Sequence, residues 1–188
     1  MTRQTIKPHS QVRPMLIGIT LFTILCGATA FGHSATSDQP LTTIIFIRHA
    51  DKKIEPDNPD PELSPAGQAR AQEIARMFGD AGVGAIYATQ FKRTQHTVKP
   101  LADKLGIPVT QVPAKNNAEV VKQIRAQHIG KVVFVAGHNN SVPEMIAALG
   151  GPQFPLIPET EYDNLYILTI NGDGKTKLIK MKYSAPMK

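Results

Sequence analysis

Short apolar runs alternate with amphipathic stretches along most of the chain, and this alternation predicts the order of its elements. Runs rich in Val, Ile and Ala that end at polar or turn residues are typical of buried strands. The predicted strands are Thr42–Ile47, Ala85–Ala88, Val109–Val112 and Lys131–Ala136. Because helical patterns separate them, the sequence predicts a three-layer α/β fold, with a mainly parallel sheet and helices on both faces.

Helical spacing of apolar residues predicts four helices between and after these strands. Ser64 suits the N-cap of the first helix and Pro65 its first position, and Gly79, Gly82 and Gly84 follow its expected end. The second helix is expected to reach about Leu105. The remaining two are predicted over Ala118–Ala126 and Val142–Leu149.

The end of the chain predicts an antiparallel edge to the sheet. Tyr162–Ile170 and Lys177–Met181 are alternating runs joined by Asn171-Gly172-Asp173-Gly174. An Asn-Gly pair between two such runs is a strong hairpin signal. Two segments are expected to form the walls of any site at the end of the first strand: the long polar loop Asp51–Pro61, which follows that strand directly, and the segment Gly151–Glu161.

The first 40 residues differ from the rest of the chain. Basic residues stand first: Arg3, Lys7 and Arg13. The uncharged segment Met15–Ala30 follows and ends in Ala28-Thr29-Ala30, the pattern of a secretory signal peptide. We therefore predict a signal peptide over 1–30, a linker over 31–40 and one domain over 41–188. Cleavage would make the protein periplasmic or secreted, whereas an uncleaved segment would tether it to a membrane.

Composition and charge narrow the classes of function. Cys26 is the only cysteine and lies inside the predicted signal peptide, so the domain has no thiol nucleophile and no cysteine metal site. The formal charge is +6, and this mild excess favours anionic substrates. No long basic run with interleaved aromatic residues indicates nucleic-acid binding.

Chemically active side chains follow three of the predicted strands. Arg48 and His49 come directly after the first strand, Arg93 lies just beyond the second, and His138 follows the fourth. In a parallel sheet these ends share one edge, so the side chains can converge. Arginine forks bind phosphate oxygens and a neutral imidazole can attack phosphorus. Taken alone, the pair Arg48-His49 is equally consistent with ordinary polar residues at a strand end.

Four segments of the chain resemble the histidine phosphatase superfamily, which includes phosphoglycerate mutase. Arg48-His49-Ala50 resembles its signature, with alanine in place of the more familiar glycine. Ala88–Thr97 resembles the second motif, Val135–Asn140 the third, and Leu63–Ala71 the opening of the first helix. The resemblance extends from Thr42 to about Ile170 and implies a phosphoglycerate mutase-like fold.

The resemblance also implies the roles of the site residues. His49 would be the nucleophile, and Arg48, Arg93 and His138 would bind the phosphate. Asn139 could add a hydrogen bond to the substrate, although an asparagine there also suits helix capping. No metal and no cofactor is implied, and no two histidines have metal-ligand spacing within one element.

The chain departs from the family pattern in one place, the carboxylic acid that protonates the leaving oxygen. Between Arg93 and His138 the only acids are Asp103 and Glu119, and the expected loop, Pro113–Asn117, holds none. Asp51, two residues after His49, is a candidate substitute. Without a donor, aryl and acyl phosphates should react better than alkyl phosphates, because a general acid contributes about 10²–10⁴-fold.

These observations predict a phosphomonoesterase that acts through a phosphohistidine on an exported or periplasmic substrate. The expected substrate is small and phosphorylated, for example a phosphosugar or a surface glycolipid. No nucleic acid is expected as a partner, and a membrane only if the signal segment is uncleaved. The alternative is a catalytically weak protein of the same fold that binds a phosphate ligand.

Overall fold

The computed structural model describes residues 40–183, which form six strands and four helices. The strands are β1 Thr42–Arg48, β2 Val83–Thr89, β3 Val109–Val112, β4 Val132–Gly137, β5 Asn164–Ile170 and β6 Thr176–Lys182. The helices are α1 Pro65–Phe78, α2 Lys92–Leu105, α3 Asn117–Gln127 and α4 Ser141–Ala148. The predicted signal peptide (1–30) and residues 31–39 of the predicted linker lie outside the described residues. Among residues 40–183, no helix is long and apolar enough to cross a bilayer.

The six strands form one sheet in the order β3-β2-β4-β1-β5-β6. β1, β2, β3 and β4 run parallel, whereas β5 pairs antiparallel with β1 and β6 antiparallel with β5. The predicted parallel sheet with an antiparallel hairpin at one edge is therefore confirmed.

Apolar side chains from both faces of the sheet form two separate halves of the core. One half packs α3 and α4 against Ile44, Phe46 and Val135, and the other packs α1 and α2 against Ile45 and Ile47. β1 and β4 are buried on both faces, which explains why their sequences are continuous apolar runs rather than alternating ones.

Helix α1 begins where the sequence predicts it. The Ser64 hydroxyl accepts a hydrogen bond from Gly67 N (3.1 Å), and Pro65 occupies the first helical position. Its predicted apolar face is confirmed, because Ala71, Ile74, Ala75 and Phe78 are all buried. An N-cap bond of this kind stabilises a helix by about 1 kcal/mol.

Several predicted boundaries shift by one or two residues in the structure, among them those of β1, β2 and β5. β1 continues through Arg48, because backbone pairing extends to Gly137 on β4. Gly84 lies inside β2 rather than after α1, at a shift in the register between β2 and β4. β5 begins at Asn164 instead of Tyr162. The Tyr162 ring packs against Arg48, the last residue of β1, and against His49, which follows it.

Candidate active site

The pairing of β1 with β4 brings the two predicted histidines together. Arg48 is the register partner of Gly137, and His49 N donates to the carbonyl of Gly137 at 2.9 Å. The residues just beyond this pair, His49 and His138, therefore lie side by side, with ring centroids 5.4 Å apart.

A pocket of about 300 Å³ opens at this edge of the sheet, and most predicted site residues line it. Its lining residues are Arg48, His49, Lys52, Phe91, Arg93, Ala114, Lys115, His138, Asn139, Asn140 and Glu159. Arg93 comes from the first turn of α2, where its guanidinium lies 4.2 Å from the centre of the Phe91 ring. The structure thus brings together residues from five separate parts of the sequence.

The hydrogen bond of His49 determines which ring nitrogen can act as a nucleophile. His49 Nδ1 lies 2.8 Å from the carbonyl oxygen of Ala50. A carbonyl oxygen only accepts hydrogen bonds, so Nδ1 must carry the proton. In the neutral ring this leaves the lone pair on Nε2, the atom that can attack an electrophile.

A pair of buried threonines orients His138. Thr89 Oγ1 lies 3.0 Å from His138 Nε2 and 2.7 Å from Thr94 Oγ1, and Thr94 Oγ1 donates to the carbonyl of Phe91 at 2.8 Å. With the Thr94 proton directed to that carbonyl, Thr89 donates to Thr94 and accepts from His138. We therefore assign the Nε2 proton of His138 to the bond with Thr89.

Burial favours the neutral forms of both imidazoles. Desolvation, together with the smaller effect of the nearby Arg48 charge and against the opposing effect of the Ala50 carbonyl, lowers the pKa of His49 from 6.5 to about 3. Desolvation and the charge of Arg93 lower the pKa of His138 to about 4. A bound dianion would favour the charged forms and raise both pKa values.

Arg48 is held by the loop that precedes β5. Its Nη1 donates to the carbonyl oxygens of Pro158 (2.9 Å), Glu159 (2.9 Å) and Glu161 (3.2 Å). Its Nη2 donates to Glu159 Oε2 at 2.5 Å, and the guanidinium lies 4.2 Å from the centre of the Tyr162 ring. The Arg48 side chain is only 2 % exposed. These contacts hold its guanidinium in place beside His49.

Several guanidinium N–H groups at the pocket have no hydrogen-bond partner among the described residues. They are Arg48 Nε, Arg93 Nε and Arg93 Nη1, and all three atoms are buried. Asp60 approaches Arg93 Nη1 only to 3.7 Å, beyond hydrogen-bond distance. Burial also lowers the pKa of Arg93. Unpartnered buried donors are rare and costly, so this arrangement favours a bound oxyanion.

Two predicted site residues have partners other than a substrate. Asp51 is not among the residues that line the pocket, because its carboxylate accepts a hydrogen bond from Arg70 Nε at 2.7 Å. Asn139 does line the pocket, and its Nδ2 donates to Glu159 Oε1 at 2.8 Å.

Sequence reasoning missed the contributions of Thr89, Tyr162 and Glu159. Thr89 lies within the second motif, so its position was a usable signal. Glu159 and Tyr162 belong to a segment without regular structure before β5, and nothing in its sequence pattern indicates which of its side chains face the pocket. Within residues 40–183 no group of three or more His, Cys, Asp or Glu side chains could hold a metal ion.

Comparison with known proteins agrees with this geometry. Residues 44–117 match the model of the histidine phosphatase superfamily (branch 1). The protein histidine phosphatase SixA, solved with tungstate, superposes with a TM-score of 0.61 at 16 % identity, over 74 % of this chain and 96 % of that one. No curated protein matches by sequence.

Two mycobacterial proteins have the same fold. A glucosyl-3-phosphoglycerate phosphatase gives a TM-score of 0.60 at 13 % identity, over 77 % of this chain and all of that one. A protein described as mycobacterial hydrolase 1 gives 0.59 at 14 %, with the same coverage. These likenesses confirm the predicted phosphoglycerate mutase-like α/β fold. The predicted resemblance to the histidine phosphatase superfamily is likewise confirmed, because residues 44–117, which hold the first two motifs, match the model of that superfamily.

Proposed function

We propose that the protein is a phosphomonoesterase in which His49 carries the phosphoryl group. The observation that supports this most directly is the pairing of a neutral imidazole with buried, unpartnered guanidinium N–H groups. The imidazole supplies the lone pair, and the N–H groups of Arg48 and Arg93 supply donors for phosphoryl oxygens. A tetrahedral oxyanion of the size of phosphate matches both requirements.

The reaction would proceed in two displacements. His49 Nε2 forms a bond to phosphorus while the bond to the ester oxygen breaks, and the alcohol leaves. Water then attacks the phosphohistidine and releases inorganic phosphate. Arg48, Arg93 and the imidazolium form of His138 would stabilise the charge on the equatorial oxygens in both steps.

We infer that the substrate is a small phosphorylated molecule outside the cytoplasm, such as a phosphosugar or a surface glycolipid. Lys52 and Lys115 at the pocket favour anionic ligands, and its volume of about 300 Å³ suits a small one. The location rests on the signal-peptide pattern of residues 1–30. Fractionation of the cells tests the location, and recovery of the protein in the cytoplasmic fraction is the contrary result. N-terminal sequencing of the exported protein tests cleavage, with Phe31 as the expected first residue, whereas an uncleaved Met1 would indicate a membrane tether.

Turnover of 4-nitrophenyl phosphate tests the function, with binding of inorganic phosphate measured in parallel. We expect the wild type to hydrolyse the ester and His49→Ala to lose at least about 10³-fold in kcat, because the variant lacks the imidazole that forms the bond to phosphorus. His96→Ala, an exposed histidine on α2, is the control and should retain activity. A wild type that binds phosphate without turnover would instead indicate a phosphate-binding protein.

A further inference from the structure

Glu159 is the only acidic side chain in the wall of the pocket within the described residues. Its Oε1 accepts a hydrogen bond from Asn139 at 2.8 Å and its Oε2 one from Arg48 at 2.5 Å. The side chain is 68 % exposed, so it can move when a ligand enters. Both partners of the carboxylate, Arg48 and Asn139, themselves line the pocket.

A substrate phosphate would change the hydrogen-bond donors and the charge around the Glu159 carboxylate. The phosphoryl oxygens would take over donors of Arg48 and would place a second anion beside Glu159. Like charges at short distance favour the protonated form of a carboxyl group. Binding would therefore either displace Glu159 or protonate it, and the Asn139 side chain would still hold the protonated group at the mouth of the pocket.

We propose that Glu159 is the general acid that protonates the leaving oxygen, an inference that rests on the phosphatase function proposed above. In the first step, as the P–O bond breaks, the Glu159 proton passes to the ester oxygen and the alcohol leaves. In the second step the Glu159 carboxylate takes a proton from the attacking water. The phosphohistidine bond then breaks, and His49 and the acid return to their starting forms.

The other nearby acids have structural partners instead. Asp51 is bound to Arg70 and lies outside the pocket wall. Asp60 accepts a hydrogen bond from Lys92 N at 2.9 Å at the start of α2 and does not line the pocket either. The geometry thus favours Glu159 over Asp51 as the proton donor, a role for which the sequence motifs contain no acid.

The test compares kcat/KM for 4-nitrophenyl phosphate and for an alkyl phosphate in the wild type and Glu159→Gln. Glutamine keeps the size of the side chain and one acceptor oxygen, so it can accept a hydrogen bond from Arg48 or from Asn139 but not from both, and it cannot give up a proton. We expect a loss of about 10²-fold or more on the alkyl phosphate, and a change of less than about 3-fold on the nitrophenyl ester, whose leaving group needs no proton.

Asp51→Asn and Glu144→Gln complete the experiment, the latter as a matched change at an exposed glutamate outside the pocket. Equal losses on both esters in Glu159→Gln, or a rise on both, would overturn the inference and leave the phosphatase function intact. A leaving-group-dependent loss in Asp51→Asn alone would assign the proton to Asp51. Absence of wild-type turnover on the nitrophenyl ester would overturn the phosphatase function and this inference together.

Discussion

At the scale of single residues, the site depends on imidazoles that burial keeps neutral. His49 and His138 are 3 % and 8 % exposed, and desolvation is the largest cause of the lowered pKa of each. Each ring also has a fixed partner, the Ala50 carbonyl for His49 and Thr89 for His138. These partners orient the rings before a substrate arrives, so little reorganisation is needed during the reaction.

The same burial predicts a dependence of stability on pH. Between about pH 4 and 6.5 the unfolded chain binds protons at these positions that the folded chain does not bind. Stability should therefore fall as the pH is lowered through this range, by up to about 1.4 kcal/mol per pH unit for each histidine. Urea unfolding of the phosphate-free protein at several pH values measures this slope.

The comparison protein for that measurement is the double variant His49→Gln/His138→Gln, which should show a shallower slope. His96→Gln, at an exposed position on α2, should keep the slope of the wild type. Identical slopes in the wild type and the double variant would show that the two imidazoles are not held neutral by folding.

At the scale of secondary-structure elements, close contacts at strand ends align the motifs with one another. Ala50 N donates to Thr97 Oγ1 at 2.8 Å, and Thr97 Oγ1 donates to the carbonyl of Arg93 at 2.6 Å, so the end of β1 is tied to the first turns of α2. On the other side, the Ser141 hydroxyl at the start of α4 accepts from His138 N at 2.8 Å. The glycine before His138 leaves room for this contact.

We predict that Gly137→Ala impairs activity more than folding. A Cβ atom at this position would lie 2.7 Å from Ser141 Oγ and 3.1 Å from Val142 Cγ2, so the first turn of α4 would have to move. We expect kcat/KM for 4-nitrophenyl phosphate to fall by about 10-fold or more, since small displacements at a reacting centre are costly.

Gly84→Ala is the control for this change, because the nearest atom to its Cβ would be 3.9 Å away. It adds the same methyl group to a neighbouring strand and should leave kcat/KM unchanged. An active Gly137→Ala variant with wild-type KM would show that the position of α4 does not affect the chemistry.

At the scale of the whole molecule, the parallel order of β1, β2 and β4 explains how residues far apart in sequence form one pocket. Their carboxyl ends share an edge, and that edge was predictable because each apolar run ends at a chemically distinctive residue. The register then follows from the backbone pairing of Arg48 with Gly137. Sequence reasoning therefore predicted the placement of Arg48, His49, Arg93 and His138.

Sequence reasoning predicted that the segment Gly151–Glu161, between α4 and β5, forms a wall of the pocket, but not which of its side chains reaches it. Its path is set by tertiary contacts, including the hydrogen bond from Ile157 N to the Asn139 carbonyl (3.0 Å) and the three carbonyls around Arg48. Such contacts leave no periodic signal in the sequence. The same reason explains why Asp51, close to His49 in sequence, turns away to Arg70 while Glu159 reaches the pocket.

Trapping of the phosphoenzyme shows whether His49 carries the phosphoryl group. The wild type, His49→Ala and His96→Ala would be mixed with a radiolabelled aryl phosphate, quenched in alkaline denaturant during turnover and digested for mass spectrometry. We predict a base-stable, acid-labile label on the peptide that contains His49 in the wild type and in His96→Ala, and none in His49→Ala. Turnover without a labelled enzyme, or a label on any other residue, would contradict the account.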